Sequence, residues 1–130
     1  MSIKVKTKGN FNNTETFLIS HRTSLFTDED LLIIAEYGLE KFKDNTPSKS
    51  GKTSESWSYE IINTKKGRAI DYKNSNIQNG LNIAILVDTG HATAQGKWIS
   101  GTHYIDETID DICSYIDKKE INERSLMNYE

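Results

Sequence analysis

The chain has 130 residues, a formal net charge of -3, one cysteine, and 35% hydrophobic against 27% charged residues. That length predicts one domain, 1–130, which buries a core without staples; two Trp, four Phe and six Tyr argue against disorder. The lone Cys113 excludes an intramolecular disulfide and a four-cysteine zinc site, and the slight acidity argues against a general nucleic-acid binder. The longest apolar run, Leu31 to Ala35, is too short to span a membrane, and the charged opening Met1 to Lys6 leads into no apolar stretch, so no signal peptide and a reducing cytoplasm are expected.

Ile3, Val5 and Thr7 alternate with Lys4, Lys6 and Lys8, the period of a half-buried strand whose lysines protect a sheet edge. After Gly9-Asn10, the spacing of Phe17, Leu18, His21 and Leu25 predicts a short helix from Asn13 or Thr14 to Ser24, with His21 on its apolar face. Thr27 with Asp30 forms a variant capping box for a second helix, whose core stripe is Leu31, Ile34, Ala35, Leu39 and Phe42. Leu32, Ile33 and Tyr37 widen that stripe, either as a subunit contact or as a more deeply buried helix.

Asn45 to Gly51 is a polar loop holding the only proline. Trp57–Asn63 and Arg68–Tyr72 read as a hairpin turned at Lys65-Lys66-Gly67, and residues 74–76 and 78–80 have turn chemistry. The apolar run Asn82–Val87 predicts a central strand, and Asp88 to Thr102, with Gly90, Gly96 and Gly101 around Trp98-Ile99, a long loop of the length that is functional or disordered, its Trp-Ile pair pointing to ordering against a partner. Ile105, Ile109, Ile112, Cys113 and Ile116 mark a last helix, 105–119, before a frayed tail at 120–130. The order β-α-α-β-β-β-α predicts an α+β fold: an antiparallel sheet of about four strands packed against two N-terminal helices and one C-terminal helix, with a long glycine-containing loop.

No motif demands catalysis. Gly51-Lys52-Thr53 lacks the glycine a phosphate-binding loop needs five residues earlier, where Thr46 stands, and a helix rather than a strand precedes it. His91 and His103, with Asp88 and Asp106, could be drawn as a metal site, but they lack a tight ligand pair. Cys113 lies on an apolar stripe, and no serine sits in a nucleophile elbow. The expectation is no enzyme, no cofactor and no metal. Lys4, Lys6, Lys8 and Lys65, Lys66, Arg68 are the basic clusters, and they lack interleaved aromatics.

An ordered series of loop signatures spans about Ile3 to Lys118: Gly9-Asn10-Phe11, Thr46-Pro47, Gly51-Lys52-Thr53, Ser56-Trp57 and Tyr59, Asn74-Ser75-Asn76, Ile83 to Leu86, Gly90-His91 with Thr93, Gly96, Gly101 and Tyr104-Ile105. The series resembles the head–tail joining proteins of long-tailed bacteriophages, described as neck, tail-completion or tail-component proteins. Ala92, Ala94 and Lys97 depart from the family loop pattern G-H-G-T-R and its later glycine pair, and His103 replaces an acidic residue, so a contact by the family's arginine does not carry over.

The resemblance implies a non-enzymatic virion protein, assembled in the host cytoplasm. It forms part of a six- or twelvefold ring between the head-closing connector and the tail tube, with genomic DNA passing through the channel. In this setting Leu32, Ile33, Tyr37, Gly90, His91, Thr93, Trp98 and Ile99 are candidate subunit or partner contacts, and Lys65, Lys66 and Arg68 candidate channel residues. The glycines of the long loop would let it change shape on docking. Alternatives are a tail terminator, a minor capsid-associated protein, a cellular binding module, or a small enzyme needing His91 and His103 in one pocket.

Overall fold

The computed structural model describes the backbone of residues 3–10, 14–21, 26–47, 51–64 and 67–128, and the side chains of 26–47, 51–63 and 67–119. The chain is α+β with antiparallel strand pairing. Its main sheet comprises β1 (Ile3–Asn10), β2 (Thr14–His21), β3 (Trp57–Thr64) and β4 (Gly67–Asn74) in the order β1-β2-β4-β3. The lysine-bearing β1 is an edge strand, as its alternation predicts.

β2 corrects the expected helix over Thr14–His21; the rest of that expectation, residues 13 and 22–24, lies outside the described residues. The residues read as a helical stripe also carry a period of two, and Thr14, Thr16 and Ile19 favour strand. Register decides between the two periods. It aligns Val5, Ile19, Ile70 and Ile61 in one row, and Thr7, Phe17, Tyr72 and Tyr59 in the next, so His21 is a strand residue opposite Ile3.

Helix α1 (Asp28–Asn45) starts where expected. Asp30 N donates to Thr27 Oγ1 at 3.1 Å and Thr27 N to Asp30 Oδ2 at 3.0 Å, the reciprocal bonds of a capping box. Leu31, Ile34, Ala35 and Phe42 are buried, while Leu39 is half-buried. Phe42 stacks on Trp57 with ring centroids 4.4 Å apart and meets Tyr72 at 4.9 Å. On the other side of α1 lies α4 (Tyr104–Asn128). Asn45 Nδ2 donates to Thr108 Oγ1 at 2.9 Å near one end of the pair, and Lys119 meets Asp30 at 3.3 Å near the other, so the helices are antiparallel. The helix continues through the tail expected to fray, as far as Asn128.

A four-residue helix α2 (Lys52–Glu55) interrupts the polar stretch before β3. Between β4 and α4 the chain differs most from expectation. After β4, the short hairpin of β5 (Ile77–Gln78) and β6 (Leu81–Asn82) turns at Asn79-Gly80, both at positive φ, 52° and 77°. Those angles suit the two-residue turn that an Asn-Gly pair favours.

The run expected as a central strand is helix α3 (Ile83–Thr89). The apolar run of five, Ile83 to Val87, has no period that separates strand from buried helix. Here the ends decide: Asn82 Oδ1 accepts from Ile85 N at 3.4 Å as an N-cap, and Gly90 closes the C-terminus. The long glycine loop is in fact a hairpin of β7 (Gly90–Ala92) and β8 (Trp98–Ser100). No helix among the described residues is long and apolar enough to cross a membrane.

Candidate interaction surface

Part of the loop signatures, Thr46, Thr53, Ser56, Trp57 and Asn74 to Asn76, meets in a polar clasp at the end of the sheet; Phe11 lies outside the described residues. Trp57 Nε1 donates to Thr46 Oγ1 at 2.8 Å, and the Thr46 hydroxyl donates to Phe42 O. Asn74 Nδ2 donates to Thr53 O at 2.8 Å, Asn76 Nδ2 to Thr53 Oγ1 at 2.9 Å, and Asn76 N to Asn74 Oδ1 at 2.9 Å. Ser75 N bonds Ser56 O at 3.1 Å. Thr46, Thr53, Asn74 and Asn76 are all buried. Buried polar groups this well satisfied specify one loop arrangement. Gly51, at φ 79°, starts α2 from the left-handed region, which glycine adopts at least strain. Gly51-Lys52-Thr53 therefore serves chain geometry.

The clasp leads into the β7–β8 arm. Asp88 Oδ1 accepts from Ile105 N at 2.9 Å and caps α4, while Thr102 N and His103 N bond back to Val87 O and Asp88 O. Desolvation raises the Asp88 carboxyl above its ordinary value, against the lowering effect of the Ile105 N–H. Gly90 and Gly101 cross at the base of the arm. A Cβ on Gly90 would lie 2.7 Å from both Gly101 N and Ile99 O, and one on Gly101 would collide with Asp88 O. Gly90 and Gly101 thus permit a backbone-to-backbone crossing at the base of the arm, whereas a Cβ on Gly96 would meet nothing within 4 Å. At the tip, Thr93 Oγ1 accepts from Lys97 N at 3.1 Å, and Thr93 N bonds Lys97 O at 2.7 Å. Thr93 thus closes the turn.

Trp98 is 61% exposed and Ile99 45%. The Trp98 ring leans on the arm's own base, where a Cβ on Gly90 would come within 3.0 Å of Cζ2. Leu32 and Ile33 are exposed on α1, as the widened stripe suggests. Tyr37 is not part of that surface. It stacks on Tyr115 at 4.1 Å and 10° between planes, with Lys41 Nζ 5.6 Å from its ring centroid. Ile77 and Leu81, exposed on β5 and β6, complete the large exposed apolar residues among those described. Sequence reading missed these two, although apolar residues flanking an Asn-Gly turn were the available signal.

His91 is half-buried in β7, opposite Ile99, and its Nδ1 is buried with no hydrogen-bond partner among the described residues. His103 is exposed, at φ 55°. No group of three or more His, Cys, Asp and Glu among the described residues could hold a metal ion. Burial pushes the half-buried Cys113 thiol up, away from the reactive thiolate. Arg68 pairs with Asp28 of α1 and is tied to the fold, while Lys65 and Lys66 lie outside the described residues. No family model, curated protein or solved structure matches the chain.

Proposed function

We propose that this protein is a structural subunit of the head–tail junction of a long-tailed bacteriophage, one copy in a ring that joins the DNA-filled head to the tail. The observation that carries the proposal is the exposed Trp98-Ile99 pair on a hairpin held at a glycine crossing. A large aromatic presented on a rigid support is the usual form of an interface hot spot. The ordered loop signatures supply the phage context, and they converge on the clasp and arm base that set where the hairpin projects. In this role the ring contacts the head-closing connector on one side and the tail tube or its terminator on the other. DNA passes the channel without sequence-specific contact.

The deciding experiment deletes the gene from the phage or prophage that carries it and examines the lysate by electron microscopy. Filled heads beside unattached tails are expected. Attached tails of abnormal length would assign the protein to tail termination instead, and normal infectious particles would refute a junction role. Trp98→Ala should leave the fold intact and abolish joining. A variant that unfolds would make Trp98 part of the core and refute the arm's role.

A further inference from the structure

We infer that the β7–β8 arm of one copy docks on the exposed face of α1 of a second copy. The inference deepens the ring proposal by naming the two surfaces that meet.

The two surfaces are complementary in charge. Glu29, Leu32, Ile33, Glu36 and Glu40 are exposed along α1 at spacings of three and four residues, so they share a face. Asp44 is exposed at one end of the helix, while Asp28 at the other is paired with Arg68, and Glu36 accepts from Tyr59 Oη at 2.6 Å, which leaves Glu29, Glu40 and Asp44 as the carboxylates with no bond among the described residues. Lys41 and Lys43 are half-buried, with Lys41 over the Tyr37 ring. The face is therefore two apolar side chains framed by carboxylates. The arm is the converse: residues 89–105 contain no Asp or Glu, and they place Lys97 beside Trp98 and Ile99, with His91 and His103 nearby.

Charge also selects the geometry. A symmetric pairing of α1 with α1 would bring two acidic faces together, and like-charge juxtaposition opposes it. Arm against α1 brings Lys97 to the carboxylates and lays the hairpin edge, with Trp98 on one face and Ile99 on the other, along Leu32-Ile33. Both surfaces stand exposed on the same chain, so the arm does not cover its own α1. A contact between two different patches leaves one of each unused, so it propagates, and it closes into a ring where the rotation between copies permits. A hairpin tip on one helix face is small for an interface, so single contacts are weak and closure is cooperative.

The test uses two differently tagged variants in a Cys113→Ser background, one with Ile99→Cys and the other with Ile33→Cys, mixed under mild oxidation. A mixed disulfide is expected, well above the self-cross-linking of either variant. Adding Lys97→Glu to the arm variant should cut its yield at least tenfold at low salt, and Glu29→Lys on the α1 variant should restore most of it. In sedimentation, Trp98→Ala should weaken self-association by at least about 30-fold, the loss expected for a hot spot. Absence of a mixed disulfide, or preferential linking of Ile99→Cys to itself, overturns the inference. A mixed disulfide with normal particles from the deletion phage keeps the contact and discards the junction role. Unattached tails without a mixed disulfide do the reverse.

Discussion

Replacing Gly38 with alanine sets two effects of known size against each other. Gly38 lies buried in α1, where alanine should stabilise the helix by about 1 kcal/mol. Packing opposes it. A Cβ at Gly38 would collide with the Tyr72 hydroxyl, lying 2.6 Å from Tyr72 Cζ and 2.9 Å from Ile112 Cδ1. Neither neighbour yields easily, because Tyr72 and Ile112 are fully buried. Overpacking of this kind costs about 1–3 kcal/mol. Pushing the phenol aside also breaks the 3.0 Å bond from Tyr72 Oη to Ala35 O, a further loss of about 1–3 kcal/mol for a buried group. The net is a destabilisation of about 3 kcal/mol. With an unfolding entropy of about 2.1 cal/mol/K for each of 130 residues, the melting temperature should fall by about 11 °C. Urea and thermal melts followed by circular dichroism measure both quantities. In a Tyr72→Phe background the penalty should shrink by about 1 kcal/mol or more, because the nearest obstacle is gone. A melting temperature that instead rises by about 4 °C, as helix propensity alone demands, would refute the close packing of α1 on the sheet and α4.

Asn74→Ala removes the bonds to Thr53 O and Asn76 N in the clasp, and should cost at least about 2 kcal/mol in a urea melt; a loss under 0.5 kcal/mol would mean the clasp holds nothing. Thr27→Ala should lower stability by about 1 kcal/mol through the lost cap of α1, with Thr27→Ser close to wild type. Burial raises the phenols of Tyr72 and Tyr104 above the ordinary 10.0, and the Glu36 carboxylate followed by burial pushes Tyr59 up to about 12. The folded chain thus holds these protons more tightly than the unfolded one. The contribution of these phenols to stability should be level below pH 10.0 and fall above it, with Tyr59 contributing in the window up to about 12; Tyr72→Phe should flatten that decline in denaturant melts across the range. Acrylamide should quench Trp98 strongly and the buried Trp57 weakly, so Trp98→Phe should remove most quenchable emission while shifting the melting temperature little; equal quenching in that variant would place Trp98 wrongly.

Legibility in the sequence follows the distance over which each signal acts. Helix α1 was readable because Thr27 and Asp30 cap it locally and a long stripe repeats its period. The β3–β4 hairpin was readable from two strand-like runs around a turn, and the Asn-Gly turn from its residue pair. Short segments carry too few periods to decide. Phe17, Ile19 and His21 fit a strand as well as a helix, and only pairing with β1 and β4 selects one. The Ile83–Val87 run has no polar positions to mark a face, and its capping by Asn82 and Gly90 acts only once the flanking clasp and arm are in place.

Among the surface residues, Leu32, Ile33, Trp98 and Ile99 were legible as apolar side chains in excess of what one core face needs. The burial of Tyr37 under Tyr115 was not, because its partner lies 78 residues further on. Nor was the crossing of Gly90 and Gly101, since glycine reads equally as freedom and as close approach until a second backbone is beside it. By itself, then, the sequence determined the α+β class, the capped α1, the edge lysines of β1 and the lack of a catalytic motif, all of which rest on local chemistry and period. Tertiary structure alone decided that β2 is a strand, that the apolar run is a helix, and that the glycine segment is a braced arm, because each depends on which distant backbone accepts its hydrogen bonds and how near it can come.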